Sequence, residues 1–276
     1  MKCTKTETGV KITGVRDLDL AQTLDCGQSF RWIECGEGFR GIAFGREVTM
    51  RLDGDVLSID NCSEEDFEKI WKPYLDLDLD YGAVRQSISA LHPVLSEAAQ
   101  YAPGIRILRQ EPWEALCTFI ISQNNNIKRI KGIVSRLCEG FGEPVGSGYG
   151  FPTAERLASL EPDDLAEIRA GFRNKYIIDG ARKVASGEVN LESCRTLPYE
   201  QARAELMKIK GVGVKVADCA LLFGLHRVEA FPVDVWMKRA MERLFPDMTA
   251  EDFGEYAGIA QQYIFHYSRM HPELFE

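Results

Sequence analysis

The stretch KIKGVGVKVADCALLFG, residues 208–224, decides the fold. An apolar segment, LMKI, runs into a Gly-Val-Gly turn, and a second apolar segment, VKVADCALLF, leaves it. Glycine permits positive φ and close backbone approach, so Gly211 and Gly213 suit a tight reversal between two helices. The free amides of the second helix point out of its N-terminus, where the helix dipole favours an anion such as a nucleic-acid phosphate. Lys215 then falls on the first helical turn. A lone helix lysine is ordinarily a solvated surface residue, but this one has company. Cys219 shares its face at i+4, and Asp234 follows in AFPVDVWMKRA.

These residue types together suggest chemistry. An amine attacks carbon only when unprotonated, and a desolvated position beside a helix N-terminus favours that neutral form. Asp234, after Pro232-Val233 and before a helical pattern, reads as an N-cap. A carboxylate there can also stabilise positive charge developing on a sugar. The turn itself, at about 204–224, resembles a helix-hairpin-helix motif.

Outward from this core the chain divides by pattern. Residues 1 to about 60 are β-rich. FRGIAFGREVTMRLDGDVLSID alternates in its middle and carries a hairpin signal at Asp53-Gly54. From Ser63, a plausible N-cap, helical patterns dominate. In NNNIKRIKGIVSRLCEGFG, Ile127, Ile130, Val134, Leu137 and Phe141 form one apolar stripe. EPDDLAEIRAG predicts a helix starting near Pro162 and capped by Gly171. Further helices are expected in KYIIDGARKVASG, LPYEQARAELMKI, VKVADCALLFG, DVWMKRAMERLF and FGEYAGIAQQYIFHYSRM. The expected fold class is α+β. A small N-terminal antiparallel β-sheet domain with an adjoining helix spans 1–85, and a mostly α-helical body containing the hairpin spans 86–276.

Bulk properties limit the function classes. A net charge of −9 argues against a protein that coats nucleic acid indiscriminately, yet a local site needs only local cations. They cluster in NNNIKRIKGIVSR, GFRNKYIIDGARK and MKIKGVGVK. The eight cysteines form no CxxC pair or zinc-type cluster, so free thiols are expected. No run is long and apolar enough for a transmembrane helix, and the N-terminus lacks a signal core. An intracellular protein is expected, cytoplasmic at the nucleoid if prokaryotic, with no membrane partner.

GVGVKVADC followed by PVDVWM resembles the helix-hairpin-helix DNA glycosylases with the Gly/Pro…Asp signature, and more narrowly the eukaryotic-type 8-oxoguanine DNA glycosylase/AP lyases. LDCGQSFRW, ISQNNNIKRIKGIVSRLCEGFG, GFRNKYI and YAGIAQQYIF extend the likeness in order over nearly the whole chain. The resemblance implies a bifunctional base-excision repair enzyme acting as a monomer on double-stranded DNA containing an oxidised purine, with no cofactor or metal. It implies Lys215 as nucleophile and Asp234 as catalytic carboxylate. Gly27 would sense the protonated N7 of 8-oxoguanine, Cys219 and Phe265 would sandwich the flipped base, and Gln261 would read its Watson–Crick edge. Asn124 would fill the gap in the duplex. Arg129 and Arg173 would face the opposite base, with Phe172 as a wedge and Gly211, Gly213 and Trp236 on the backbone. Trp236 stands where the animal enzymes carry histidine, and Phe172 where they carry tyrosine.

Other functions compete. A monofunctional glycosylase for another damaged base would keep Asp234 but not need Lys215. The iron–sulfur branch of the superfamily carries four closely spaced cysteines near its C-terminus, whereas no cysteine follows Cys219 here. A non-catalytic DNA-binding module would need neither Lys215 nor Asp234.

Overall fold

The alternation of the N-terminal segment becomes an antiparallel sheet in the computed structural model, which describes residues 1–275. Its strands are β1 (Lys2–Lys5), β2 (Gly9–Thr13), β3 (Ile33–Cys35), β4 (Gly38–Ala43), β5 (Arg46–Asp53) and β6 (Val56–Asp60), in the order β1-β2-β6-β5-β4-β3. Register lines up one apolar row across four strands: Val10 opposes Ile59, Ile59 opposes Met50, and Met50 opposes Phe39. The Asp53-Gly54 signal is a real hairpin, with Asp53 paired to Val56 and Gly54 at φ 57°.

One face of the sheet is closed by a continuous helical stretch: α2 (Glu64–Asp66), a π-helical turn (Phe67–Trp71) and α3 (Lys72–Tyr74). Ser63 caps it, its hydroxyl accepting from the Asp66 amide at 3.0 Å. Trp32, Trp71 and Tyr74 pack edge-on beneath the sheet, and the Trp32 indole donates to the Tyr74 hydroxyl at 2.8 Å. The short helix α1 (Leu20–Leu24) leads into the loop that carries Gly27.

The rest is helical, apart from a small hairpin of β7 (Pro144–Val145) and β8 (Gly148–Tyr149). Its helices are α4 (Tyr81–Ser89), α5 (Pro93–Tyr101), α6 (Pro112–Ser122), α7 (Ile127–Phe141), α8 (Ala154–Ala158), α9 (Asn174–Ala185), α10 (Tyr199–Leu206), α11 (Val214–Leu225), α12 (Val235–Leu244) and α13 (Ala257–Met270). The hairpin at the heart of the sequence is α10, the Gly211–Gly213 turn and α11. α11 is nearly engulfed, packing on α6 so closely that a Cβ on Gly224 would lie 2.9 Å from that of Ala115. None of the helices among the described residues is long and apolar enough to cross a membrane, and all eight cysteines are free thiols.

Two expected helices differ. EPDDLAEIRAG forms a 3-10 helix over Pro162–Ile168, ended by Arg169 at φ 61° rather than by Gly171. The Ile168 carbonyl accepts from Arg136 Nε of α7 at 3.1 Å, so a neighbouring helix takes the place of another turn. FGEYAGIAQQYIFHYSRM begins as a 3-10 helix, and Gly254 (φ 68°, ψ −150°) breaks it before α13.

Candidate active site

The two hairpin glycines act differently. Gly211 sits at φ 80°, and a Cβ there would lie 2.4 Å from the Tyr176 ring. Gly213 is the N-cap of α11 and offers no side-chain cap, leaving the first amides of that helix open. Lys215 follows on the first turn. Its Nζ donates to Ser122 Oγ at 3.1 Å and lies 5.5 Å from the Phe119 ring centroid. Phe119 stacks on Phe223 at 5.2 Å and meets Phe30 edge-on at 5.9 Å. The amine thus rests on an aromatic floor that excludes water from one side.

Asp234 is the N-cap of α12, as its sequence context suggests: Oδ1 accepts from the Met237 amide at 2.8 Å. Lys215 and Asp234 line one cavity of about 220 Å³. Gly27, Cys219, Trp236, Gln261 and Phe265 line it too, so residues from both ends of the chain converge there.

Gly27 holds φ 97°, a conformation that favours glycine. Its loop is pinned by the buried Gln28, whose amide donates to the carbonyls of Thr23 (2.8 Å) and Arg106 (2.7 Å) and accepts from the Leu108 amide (2.9 Å). Burial pushes the Cys219 thiol up to about 11 against the opposing charge of Lys215, so it stays a neutral, polarisable wall at neutral pH. Gln261 is buried, and its Oε1 has no hydrogen-bond partner among the described residues. A buried carbonyl left unpaired costs about 1–3 kcal/mol, which a ligand donor would recover.

A groove of about 540 Å³ adjoins this cavity and shares Lys215, Asp234 and Trp236 with it. Asn124 and Gly213 lie in the groove, Asn124 exposed and at φ 46°. Arg129 is exposed on the first turn of α7. Phe172 is 49% exposed and meets Tyr176, the residue that backs Gly211, edge-on. Arg173 is turned inward: it is 3% exposed and donates to the backbone carbonyls of Gln123, Asn124 and Ala170. The Gln123 and Asn124 carbonyls lie at the left-handed turn of Asn124, so the guanidinium braces that loop. Gln28, Ser122, Phe119 and Arg269 belong to the site without having been singled out in the sequence. Only the contacts made by the folded chain distinguish them.

Residues 12–116 match the family model of the 8-oxoguanine DNA glycosylase N-terminal domain, and residues 117–254 that of the HhH-GPD superfamily base excision DNA repair proteins. The N-glycosylase/DNA lyase of Saccharomyces cerevisiae is 36% identical over 82% of this chain and 68% of its own. The 8-oxoguanine glycosylase/lyase of Clostridium acetobutylicum, solved with double-stranded DNA containing cytosine opposite 8-oxoG, superposes with a TM-score of 0.93 over 99% of both chains at 36% identity. MBOgg1, solved with a low-affinity DNA ligand, gives 0.93 at 42% identity over 99% of this chain and 100% of its own.

Proposed function

The chain belongs to the HhH-GPD superfamily of base excision DNA repair proteins, in the branch with the 8-oxoguanine DNA glycosylase N-terminal domain, and from that membership we propose how its residues divide the work. It is a bifunctional N-glycosylase/DNA lyase that removes 8-oxoguanine from duplex DNA. The DNA backbone docks on the open N-terminus of α11 and the groove beside it. A stacked base is out of reach of Lys215, so the nucleotide is flipped at a cost of a few kcal/mol. Asn124 and Phe172 fill the gap, and Arg129 faces the opposite cytosine. The base enters the cavity between Cys219 and Phe265, with its Watson–Crick edge toward Gln261 and its N7–H toward the Gly27 carbonyl. Guanine carries an acceptor at N7 instead of that donor.

Lys215 attacks C1′ as a free amine. The new C1′–N bond forms as the glycosidic bond breaks, and the pair of electrons from the broken bond leaves with the base. Asp234 stabilises the positive charge on the sugar in between. The attached nitrogen loses its proton, the sugar ring opens to a Schiff base, and β-elimination then nicks the strand 3′ to the lesion. Every residue in this scheme comes from one chain, which supports action as a monomer. The single observation that carries the assignment is that Lys215 and Asp234 share one cavity with a buried Gln261 carbonyl that has no partner among the described residues.

The test is borohydride trapping on a labelled duplex. A covalent adduct should form with 8-oxoguanine opposite cytosine and not with guanine at the same place. Neither adduct nor free base would overturn the assignment. Asp234→Asn should separate capping from catalysis, because asparagine caps a helix as well as aspartate does. Its melting temperature should stay near that of the parent, while single-turnover base release falls by about 10²- to 10³-fold.

A further inference from the structure

One charged group in the cavity has no part in the scheme above. Arg269 lies on α13 at i+4 from Phe265, and its side chain lines the same cavity as Lys215. Its guanidinium carbon is 5.4 Å from the Phe265 ring centroid. A Cβ built on Gly27 would lie 3.5 Å from Phe265 Cε1 and 3.6 Å from Arg269 Nη1. The cation, the ring and the left-handed glycine therefore meet at one corner of the cavity. Among the described residues Arg269 makes no hydrogen bond or ion pair, and its contact is with the Phe265 ring.

A guanidinium keeps its charge and offers five N–H donors in a fixed fork. Half-buried and with no ion pair among the described residues, it sets a positive potential on this wall. Its reach extends to His266, which burial first and the Arg269 charge second push below the ordinary imidazole value. Such a wall favours an occupant that becomes negative. A departing purine does so, because the electrons of the broken glycosidic bond pass to it.

We propose that Arg269 contacts the flipped purine and stabilises the negative charge that gathers on it as the C1′–N9 bond breaks, an inference that rests on the glycosylase function assigned above. Arg269 exchanges no proton in this step, and the released base takes one up from solvent. A DNA phosphate is the other anion a guanidinium here could meet. Its charge is the same before and after bond breaking, whereas the charge on the base appears on the way to the transition state. The position of Arg269 beside Phe265 and Gly27, the two residues assigned above to the base itself, favours the base.

Abasic DNA separates the two steps, since it has no base to release. Arg269→Ala, Arg269→Lys and the parent protein would be compared in single-turnover base release from 8-oxoguanine DNA. The same proteins would be compared in borohydride trapping and nicking of a duplex with a preformed abasic site. For Arg269→Ala we expect base release to fall by about 100-fold with abasic-site trapping and nicking unchanged, and Arg269→Lys should recover part of the loss. Unchanged base release overturns the proposal. So does an equal loss on both substrates with weaker DNA binding, the mark of a phosphate contact. If the parent itself traps abasic DNA but neither releases nor traps 8-oxoguanine, the substrate assignment falls, and this inference with it.

Discussion

Lys215→Gln should abolish the borohydride-trapped adduct and slow release of 8-oxoguanine by about 10⁴-fold or more, the scale on which removing a nucleophile acts. Glutamine spans much of the lysine stem and can still donate to Ser122 Oγ, the partner of Lys215 at 3.1 Å. The lost contact with the Phe119 ring is worth about 0.5–1 kcal/mol, so the variant should fold and still bind DNA. Single-turnover kinetics and trapping would be read side by side. If the adduct vanishes while base release continues near the parent rate, water is the nucleophile and Asp234 the main catalyst. If both persist, the amine that attacks C1′ is not Lys215.

The second large effect is structural. Asp76 is wholly buried and holds φ 51° between the N-terminal helical stretch and α4. Its carboxylate accepts from Arg109 (2.5 Å), the Tyr81 hydroxyl (3.0 Å) and His226 Nε2 (3.0 Å), and its carbonyl accepts from Arg106 (2.6 Å). His226 is the left-handed residue just past α11, so one carboxylate ties the N-terminal part to the far end of the helix that bears Lys215. Asp76→Ala should cost about 3–5 kcal/mol in urea denaturation near neutral pH, because it strands buried donors. Burial alone would raise the Asp76 carboxyl. The hydrogen bond from His226, with the charges of His226 and Arg109, outweighs burial and holds it below the ordinary value. A carboxyl depressed in the folded state adds stability above its unfolded value of about 3.9 and loses it as the pH falls further. The gap between parent and variant should therefore be full at neutral pH and narrow once the pH drops below about 4. A gap independent of pH would show that the ionised carboxylate is not what stabilises the junction.

What the sequence revealed follows from where each signal is written. The strands alternate because one face of the sheet is buried. α7 shows its stripe because one side of it meets the core while Lys128 and Arg129 face solvent. α6 shows nothing of the kind: Glu114 through Ile121 are all buried, and a helix covered on every side has no period to read. α4 and α5 went unread as well. Lys215, Cys219 and Asp234 stood out because they sit near a glycine turn in one short stretch. Gln261, Phe265 and Gly27 lie far along the chain from that turn. They came from the likeness to known glycosylases, and their meeting in one cavity is a property of tertiary packing. Arg173 shows the converse. The likeness to known glycosylases placed it facing the base opposite the lesion, but two of the three carbonyls that hold it, those of Gln123 and Asn124, lie at the left-handed turn of Asn124.

Every residue of α11 from Val216 to Leu225 is buried, and the half-buried Lys215 immediately precedes that run. The backbone amides of such a helix exchange with solvent only when the whole domain opens. The amide protons of α11 should be among the last to exchange, and activity and fold should disappear in a single event.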